Sequence, residues 1–85
     1  MTTTTGTLRH YESDDPGSGY NELQFAAVRN VGGKYDDVTM AVSATREGVL
    51  VLAEPALAIT AAAARQVAAQ LVEAAAWVDL EAAKR

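Results

Sequence analysis

The sequence predicts an α+β fold in which a small antiparallel sheet of three or four strands is packed by one long C-terminal helix. Residues 37–45 alternate apolar and polar side chains, as a half-buried strand requires. Residues 49–53 form a short apolar run after a compact turn. Residues 61–83 contain neither glycine nor proline and place apolar side chains at helical spacing. With 85 residues the chain forms one domain, which we place at 7–85 after a flexible start at 1–6.

The N-terminal half predicts two further strands. Residues 7–12 (TLRHYE) suit a short strand, and residues 13–19 (SDDPGSG) are a loop. Segment 20–28 alternates apolar side chains as a strand does, although Asn21 could instead cap a short helix. We favour the strand because the clearest sheet pattern follows it, after a turn at 30–34 whose two glycines can adopt positive φ. The alternating apolar residues are Leu23, Phe25 and Ala27.

The centre of the chain predicts a hairpin. The strand over 37–45 is followed by Arg46, Glu47 and Gly48, with the glycine at a left-handed position of the turn. The next strand, VLVLA at 49–53, is apolar throughout, which is typical of a strand covered on both faces. One helix cannot cover both faces, so this strand indicates a partner. In the strand over 37–45, the face that we expect to be buried carries Val38, Met40, Val42 and Ala44.

The helix is predicted to start after an extended link at 54–59, with Thr60 as its N-cap. One arc of the helix, about 120° wide and centred on Leu71, collects most of its apolar residues. Alanine dominates this arc, so the helix can approach the sheet closely. Leu71→Ala should cost roughly 2–5 kcal/mol if that side chain is fully buried. The residues of the arc are Ala64, Val67, Ala68, Leu71, Ala74, Ala75 and Val78.

Trp77 falls outside this arc, roughly 100° or more from its centre. Aromatic residues are enriched at protein interfaces, so Trp77 and its neighbours form a candidate interface with a second copy or another protein. The alternative is that Trp77 turns back over the sheet edge or packs on the N-terminal segment. The candidate interface consists of Trp77, Leu80, Val72, Gln70 and Glu73.

Composition favours a homodimer and argues against a nucleic-acid partner. The chain contains 18 alanines but one phenylalanine and one tryptophan, so its core is small. Weak cores of this size recruit disulfides, metals or a second subunit. The chain has no cysteine and one histidine, which leaves association as the expected route. A net charge of −4 does not suit phosphate binding.

No residue pattern predicts catalysis, a cofactor or a metal. His10 beside Tyr11 is the nearest to an acid–base pair, and a lone histidine in an edge strand is usually a bystander. The aspartate pairs at 14–15 and 36–37 lack calcium-loop spacing and suit turns. The glycines do not form a phosphate-binding loop. The alternative is a small-ligand or nucleotide-binding module that uses these glycine-rich loops and the tyrosines Tyr11, Tyr20 and Tyr35.

The sequence favours a cytoplasmic protein. The first residues, MTTTTGTLRHYES, lack the apolar segment of a signal peptide. No run of 18 apolar residues predicts a membrane span. The helix is not basic, so it does not suit a membrane surface either.

The C-terminal segment LAITAAAARQVAAQLVEAAAWVD resembles the closing helix of many small, uncharacterised proteins of actinobacteria and their phages. In those proteins a hydrophobic-Thr cap leads into the pattern A-R-x-x-A-x-x-L-x-x-A-A, after a sheet that ends in a run like GVLVL. The resemblance covers about 35 residues and implies an origin and a sheet-plus-helix layout. The alanine-rich core, the VLVLA strand and the position of Trp77 lead us to expect a non-enzymatic, homodimeric protein-interaction factor, and the resemblance implies that it is of phage or actinobacterial origin. The matching positions are Ile59, Thr60, Ala64, Arg65, Ala68, Leu71, Ala74 and Ala75.

Overall fold

The computed structural model describes residues 6–12, 14, 19–53 and 58–84. Over these residues the chain forms an open antiparallel sheet with one C-terminal helix packed on it, which confirms the predicted α+β class. Residues 1–5 of the predicted flexible start at 1–6, most of the loop at 13–19 and most of the link at 54–59 lie outside the described residues, and Gly6 begins the first strand. The elements are β1 (Gly6–Tyr11), β2 (Tyr20–Phe25), β3 (Val28–Arg29), β4 (Thr39–Thr45), β5 (Gly48–Leu52) and α1 (Ala61–Ala83).

β2 and β3 are two pieces of one interrupted strand. Both pair with the same β4, and between their registers residues 25–27 lie opposite only residues 41–42. One extra residue on one strand is a β-bulge, so five strand segments make a four-stranded sheet in the order β1–β2/β3–β4–β5. The bulge also changes which side chain faces inward. Ala27, which the alternation placed in the core, is exposed, and Val28 is buried in its place.

The core lies between β4 and α1. Met40, Val42 and Ala44 are buried and Val38 is half-buried, so the predicted inner face of this strand is confirmed. Two clusters fill the space under the helix. The first consists of Leu23, Phe25, Val42, Ala44 and Ala74, and the second of Val28, Met40 and Ala63.

The start of α1 is held by a buried asparagine. Thr60 is the N-cap, as predicted, and its Oγ1 accepts a hydrogen bond from the Ala63 N–H (3.2 Å). The Thr60 N–H in turn donates to Oδ1 of the fully buried Asn30 (2.7 Å), whose Nδ2 donates to the Tyr35 carbonyl (2.9 Å). Gly33 permits this close approach, since a Cβ there would lie 2.9 Å from Thr60 Cγ2.

The helix is rotated relative to the predicted arc. Its buried residues are Ala63, Gln70 and Ala74, whereas Ala64 and Ala75 of the arc are exposed. The buried face is thus turned by about 80° relative to the centre of the predicted arc. A long-range hydrogen bond helps to set this orientation, because Gln70 Nε2 donates to the Ala26 carbonyl at the bulge (2.9 Å).

Two expectations change with this rotation. Leu71, the centre of the arc, is only half-buried, so the condition for a 2–5 kcal/mol loss on truncation is not met. The tightest contacts of the helix with the sheet are made instead by Ala63 and Ala74.

β5 is an edge strand, not a strand covered on both faces. Among the described residues it pairs with β4 alone. Its cross-strand partners place Val49 and Val51 on the face that carries α1, and Leu50 and Leu52 on the opposite face. Leu50 is 55% exposed and Leu52 62% exposed. Among the described residues no second layer lies under Leu50 and Leu52, so a cover for this face would have to come from a partner, which stays a prediction.

Asn30→Ala should lower the free energy of unfolding by about 1–3 kcal/mol, because it leaves the Thr60 N–H without a partner and leaves the Tyr35 carbonyl only its long bond from the Val38 N–H (3.4 Å). Urea denaturation followed by far-UV circular dichroism measures this loss. Asn21→Ala is the matched control, since Asn21 is exposed and should change stability by less than about 0.5 kcal/mol. Equal losses in the two variants would contradict the role of Asn30.

Ala63→Leu and Ala64→Leu distinguish the observed orientation of α1 from the predicted arc. Ala63 is buried against Val28 and Met40, so the larger side chain should cost about 1–3 kcal/mol. Ala64 is exposed, and its variant should unfold at nearly the wild-type midpoint. The opposite ranking of the two thermal midpoints would favour the arc centred on Leu71.

Candidate interaction surface

α1 covers only part of the sheet face on which it lies. It packs on β4 and makes further contacts with β5 and β3. Leu8 of β1 is paired across from Leu23 of β2 and shares that face, yet it is 57% exposed. The face of β1 and β2 beside the helix is therefore not fully covered.

An apolar groove runs along this side of the helix. Leu23 of β2 lines it from the sheet, and four residues of α1 line it from the helix. It encloses about 230 Å³, and Glu73 is the one charged residue among its described lining residues. We call it the Trp77 groove; it is lined by Leu23, Glu73, Ala76, Trp77 and Leu80.

The structure brings three of the five candidate interface residues together and separates the other two. Trp77, Leu80 and Glu73 line the Trp77 groove. Val72 is exposed on the outer side of the helix, away from this lining. Gln70 is buried under the helix, where its Nε2 bonds to the bulge, so we remove it from the candidate interface.

Trp77 lies against the sheet and does not point away from it. Its side chain is half-buried and packs on the core cluster that contains Leu23 and Phe25. The alternative orientation, in which Trp77 turns back over the sheet, therefore describes the structure. Of the two orientations that the sequence left open, the structure has this one because the rotation of α1 brings position 77 to within about 40° of the centre of the buried face.

No local pattern of residues predicts which side chains line the groove from the sheet. Leu23 was recognised as a strand residue facing the core, but its place beside Trp77 depends on the rotation of the helix. Leu8 was part of a predicted strand, but only its pairing opposite Leu23 shows that it lies on the face beside the groove. Pairing between strands, rather than local pattern, locates both residues.

The residues considered for chemistry have structural partners. His10 is exposed; its Nδ1–H donates to Asn21 Oδ1 (2.8 Å), and its Nε2 lies 3.3 Å from Glu12 Oε1. Asp36 accepts a hydrogen bond from the Gly32 N–H (3.0 Å), as a turn residue does. Asp37 adopts a positive φ of 72° and pairs with Arg29. Within the described ranges, no three histidine or acidic side chains are arranged to hold a metal ion.

The residues of the small-ligand hypothesis lie at two ends of the sheet. The rings of Tyr11 and Tyr20 stack with their centroids 5.1 Å apart, and Gln24 Nε2 donates to the Tyr11 hydroxyl (3.1 Å). Tyr35 and Gly32 lie in the connection before β4, whereas Tyr20 lines a cavity of about 310 Å³ beside the turn after β4. A strand of seven residues separates these ends by roughly 20 Å. The tyrosines and glycines therefore do not form one site.

No protein-family model, curated protein or solved structure matches this chain. Within the part of the chain that the structure describes, no helix combines the length and the apolar character needed to cross a membrane.

Trp77→Ala should lower the free energy of unfolding by about 1–3 kcal/mol, because a half-buried ring that packs on the core is lost. Chemical denaturation with circular dichroism detection measures the change without a tryptophan signal. Leu80→Ala is the control, since Leu80 is 64% exposed and should shift stability by less than about 0.5 kcal/mol. A Trp77→Ala variant as stable as wild type would place the ring outside the core.

Proposed function

We propose that this protein is a non-enzymatic interaction protein that acts as a homodimer and binds a further protein. The observation that carries the proposal is the Trp77 groove, an apolar surface with a half-buried tryptophan at its centre. Tryptophan in a partly formed pocket, surrounded by smaller apolar groups, is the arrangement found at the energetic centre of many interfaces.

The groove suits an apolar segment of a partner chain. Leu80 and Leu8 on either side are both largely exposed, and burying each against a partner would remove apolar area from water. Trp77 is already held by the core, so little side-chain entropy is lost when a partner binds. The groove thus combines a tryptophan that the core already holds in place with the exposed side chains of Leu8 and Leu80.

The setting of the proposed function follows from the resemblance of the C-terminal helix. Proteins with the same pattern come from actinobacteria and their phages, so we propose a cytoplasmic accessory role in such a system.

Leu80→Glu should remove binding of the further protein, and Val72→Glu should leave it intact. The two residues are similarly exposed aliphatics on one helix, but only Leu80 lines the Trp77 groove. Immobilised wild type and both variants are incubated with actinobacterial lysate, and a protein captured by wild type is purified and titrated by calorimetry. We expect its dissociation constant to rise at least about tenfold for Leu80→Glu.

Circular dichroism provides the control for folding, because both substitutions are at exposed positions. If Leu80→Glu binds the purified protein as tightly as wild type does, the groove is not the binding site. If Val72→Glu alone abolishes binding, the outer side of α1 is the interface.

A further inference from the structure

The outer face of the sheet, opposite α1, is polar around the turn between β4 and β5. Side chains alternate between the two faces of a strand, so Tyr20, Glu22 and Thr45 lie on the outer face, whereas Leu23 is buried under the helix. Two cavities of about 310 Å³ and 270 Å³ lie there and share Thr45 and Glu47. We call the two cavities together the Tyr20 cleft; its polar and aromatic lining consists of Tyr20, Glu22, Ser43, Thr45, Arg46 and Glu47.

Tyr20 forms an aromatic wall of this cleft. One face of its ring stacks on Tyr11 of β1, with the ring centroids 5.1 Å apart and the planes inclined by 19°. Because β2 lies between β1 and β4, the other face of the ring is turned toward the end of β4. The register Glu22↔Thr45, continued by two residues, places Tyr20 opposite Glu47 across the larger cavity. A flat apolar surface, supported from behind by Tyr11, therefore stands at one side of the cleft.

Polar groups along the cleft are held in place by one another. Glu22 Oε1 accepts from Gln24 Nε2 and from the Tyr11 hydroxyl (3.4 Å), and that hydroxyl accepts from Gln24 Nε2 (3.1 Å). Thr45 Oγ1 accepts from the Glu47 N–H (3.2 Å) in the turn that carries the Glu47 carboxylate. These contacts do not use Glu22 Oε2 or the hydroxyl hydrogen of Thr45, so both are placed to bond a ligand that carries hydroxyl groups.

The charges around the cleft favour a neutral ligand. Glu22 and Glu47 are balanced by Arg46, which lines the larger cavity, and by Arg9, which is paired across from Glu22 on β1. A charged ligand would meet a like charge here, and an entirely apolar one would remove water from carboxylates without replacing its hydrogen bonds. The suitable ligand is neutral, rich in hydroxyl groups and flat on one side. A pyranose sugar has these properties, since its hydroxyl groups donate to carboxylates and its C–H bonds pack on an aromatic ring.

We propose that the Tyr20 cleft binds a neutral oligosaccharide, with one sugar ring packed on Tyr20 and the next over Thr45 and Ser43. The larger cavity is at the lower end of the range for small-molecule sites, about 300–1,000 Å³, and the two adjoining cavities suit two sugar rings. This site goes beyond the proposed function, because it lies on the opposite face of the sheet from the Trp77 groove.

Titration with neutral disaccharides tests the site. The ¹⁵N-labelled chain is titrated with maltose, cellobiose, lactose and diacetylchitobiose, each to about 20 mM, and amide resonances are followed by NMR. We expect at least one disaccharide to give saturable shifts at residues 20–22 and 43–48, with a dissociation constant on the order of 1 mM. Putrescine and inorganic phosphate are titrated in parallel as a cationic and an anionic probe.

Substitutions separate the contribution of the ring from that of the carboxylate. Tyr20→Ala should raise the dissociation constant of the bound disaccharide at least about tenfold, whereas Tyr20→Phe retains the ring face and should stay within about twofold of wild type. Glu47→Gln should weaken binding roughly tenfold, because a charge-assisted hydrogen bond is lost. Glu12→Gln is the matched control, since Glu12 is an exposed glutamate outside the lining of the cleft. Circular dichroism checks that each variant is folded.

The outcomes decide the proposal directly. Saturable shifts from none of the four disaccharides, or binding that is unchanged in both Tyr20→Ala and Glu47→Gln, would overturn it. Saturable binding of putrescine or phosphate at the cleft, without binding of a disaccharide, would show a site for charge and overturn it as well. The Leu80→Glu experiment measures binding at the Trp77 groove on the other face, so the oligosaccharide site and the proposed function can fail independently.

Discussion

The buried amide of Asn30 holds the helix to the sheet at the point where the helix starts. It accepts from the Thr60 N–H and donates to the Tyr35 carbonyl, and thereby joins the connection after β3 to the helix cap across 30 residues of sequence. Ten residues along α1, the amide of Gln70 makes a second such link to the bulge. Two fixed points on one helix determine both its position and its rotation, and the remaining contacts of α1 follow from them.

Magnitudes explain why this orientation prevails over the one that the apolar pattern favours. Turning the helix to bury Leu71 completely would gain at most about 1 kcal/mol, because only the smaller part of that side chain is now exposed. It would also break the bond to the Ala26 carbonyl and strain the one to Thr60, and a buried polar group without a partner costs about 1–3 kcal/mol. The observed arrangement also includes one buried polar atom without a partner among the described residues, Gln70 Oε1, so it is destabilised in part by the same effect.

What the sequence could predict was local. The alternation in β4, the cap at Thr60 and the helix over 61–83 depend on neighbouring residues, and each appears in the structure. The bulge depends on strand pairs 10–23 positions apart, and the rotation of α1 depends on contacts 30 or more positions apart. No local pattern encodes either. The same distinction applies to the site. The position of Leu80 on the helix predicted it as an interface residue, whereas the groove that it lines could be located only from the strand register and the rotation of α1.

The rotation of α1 also explains why an alanine-rich helix leaves so much apolar surface outside. Ala63 and Ala74 permit close contact with β4, so the helix needs only a narrow face to be held. Its other apolar side chains are then divided between the Trp77 groove on one side of the helix and Ala64, Leu71, Ala75 and Val78 on the other. A single sheet cannot cover both sides of one helix, so apolar side chains of α1 stay exposed outside the narrow face that Ala63 and Ala74 hold against β4.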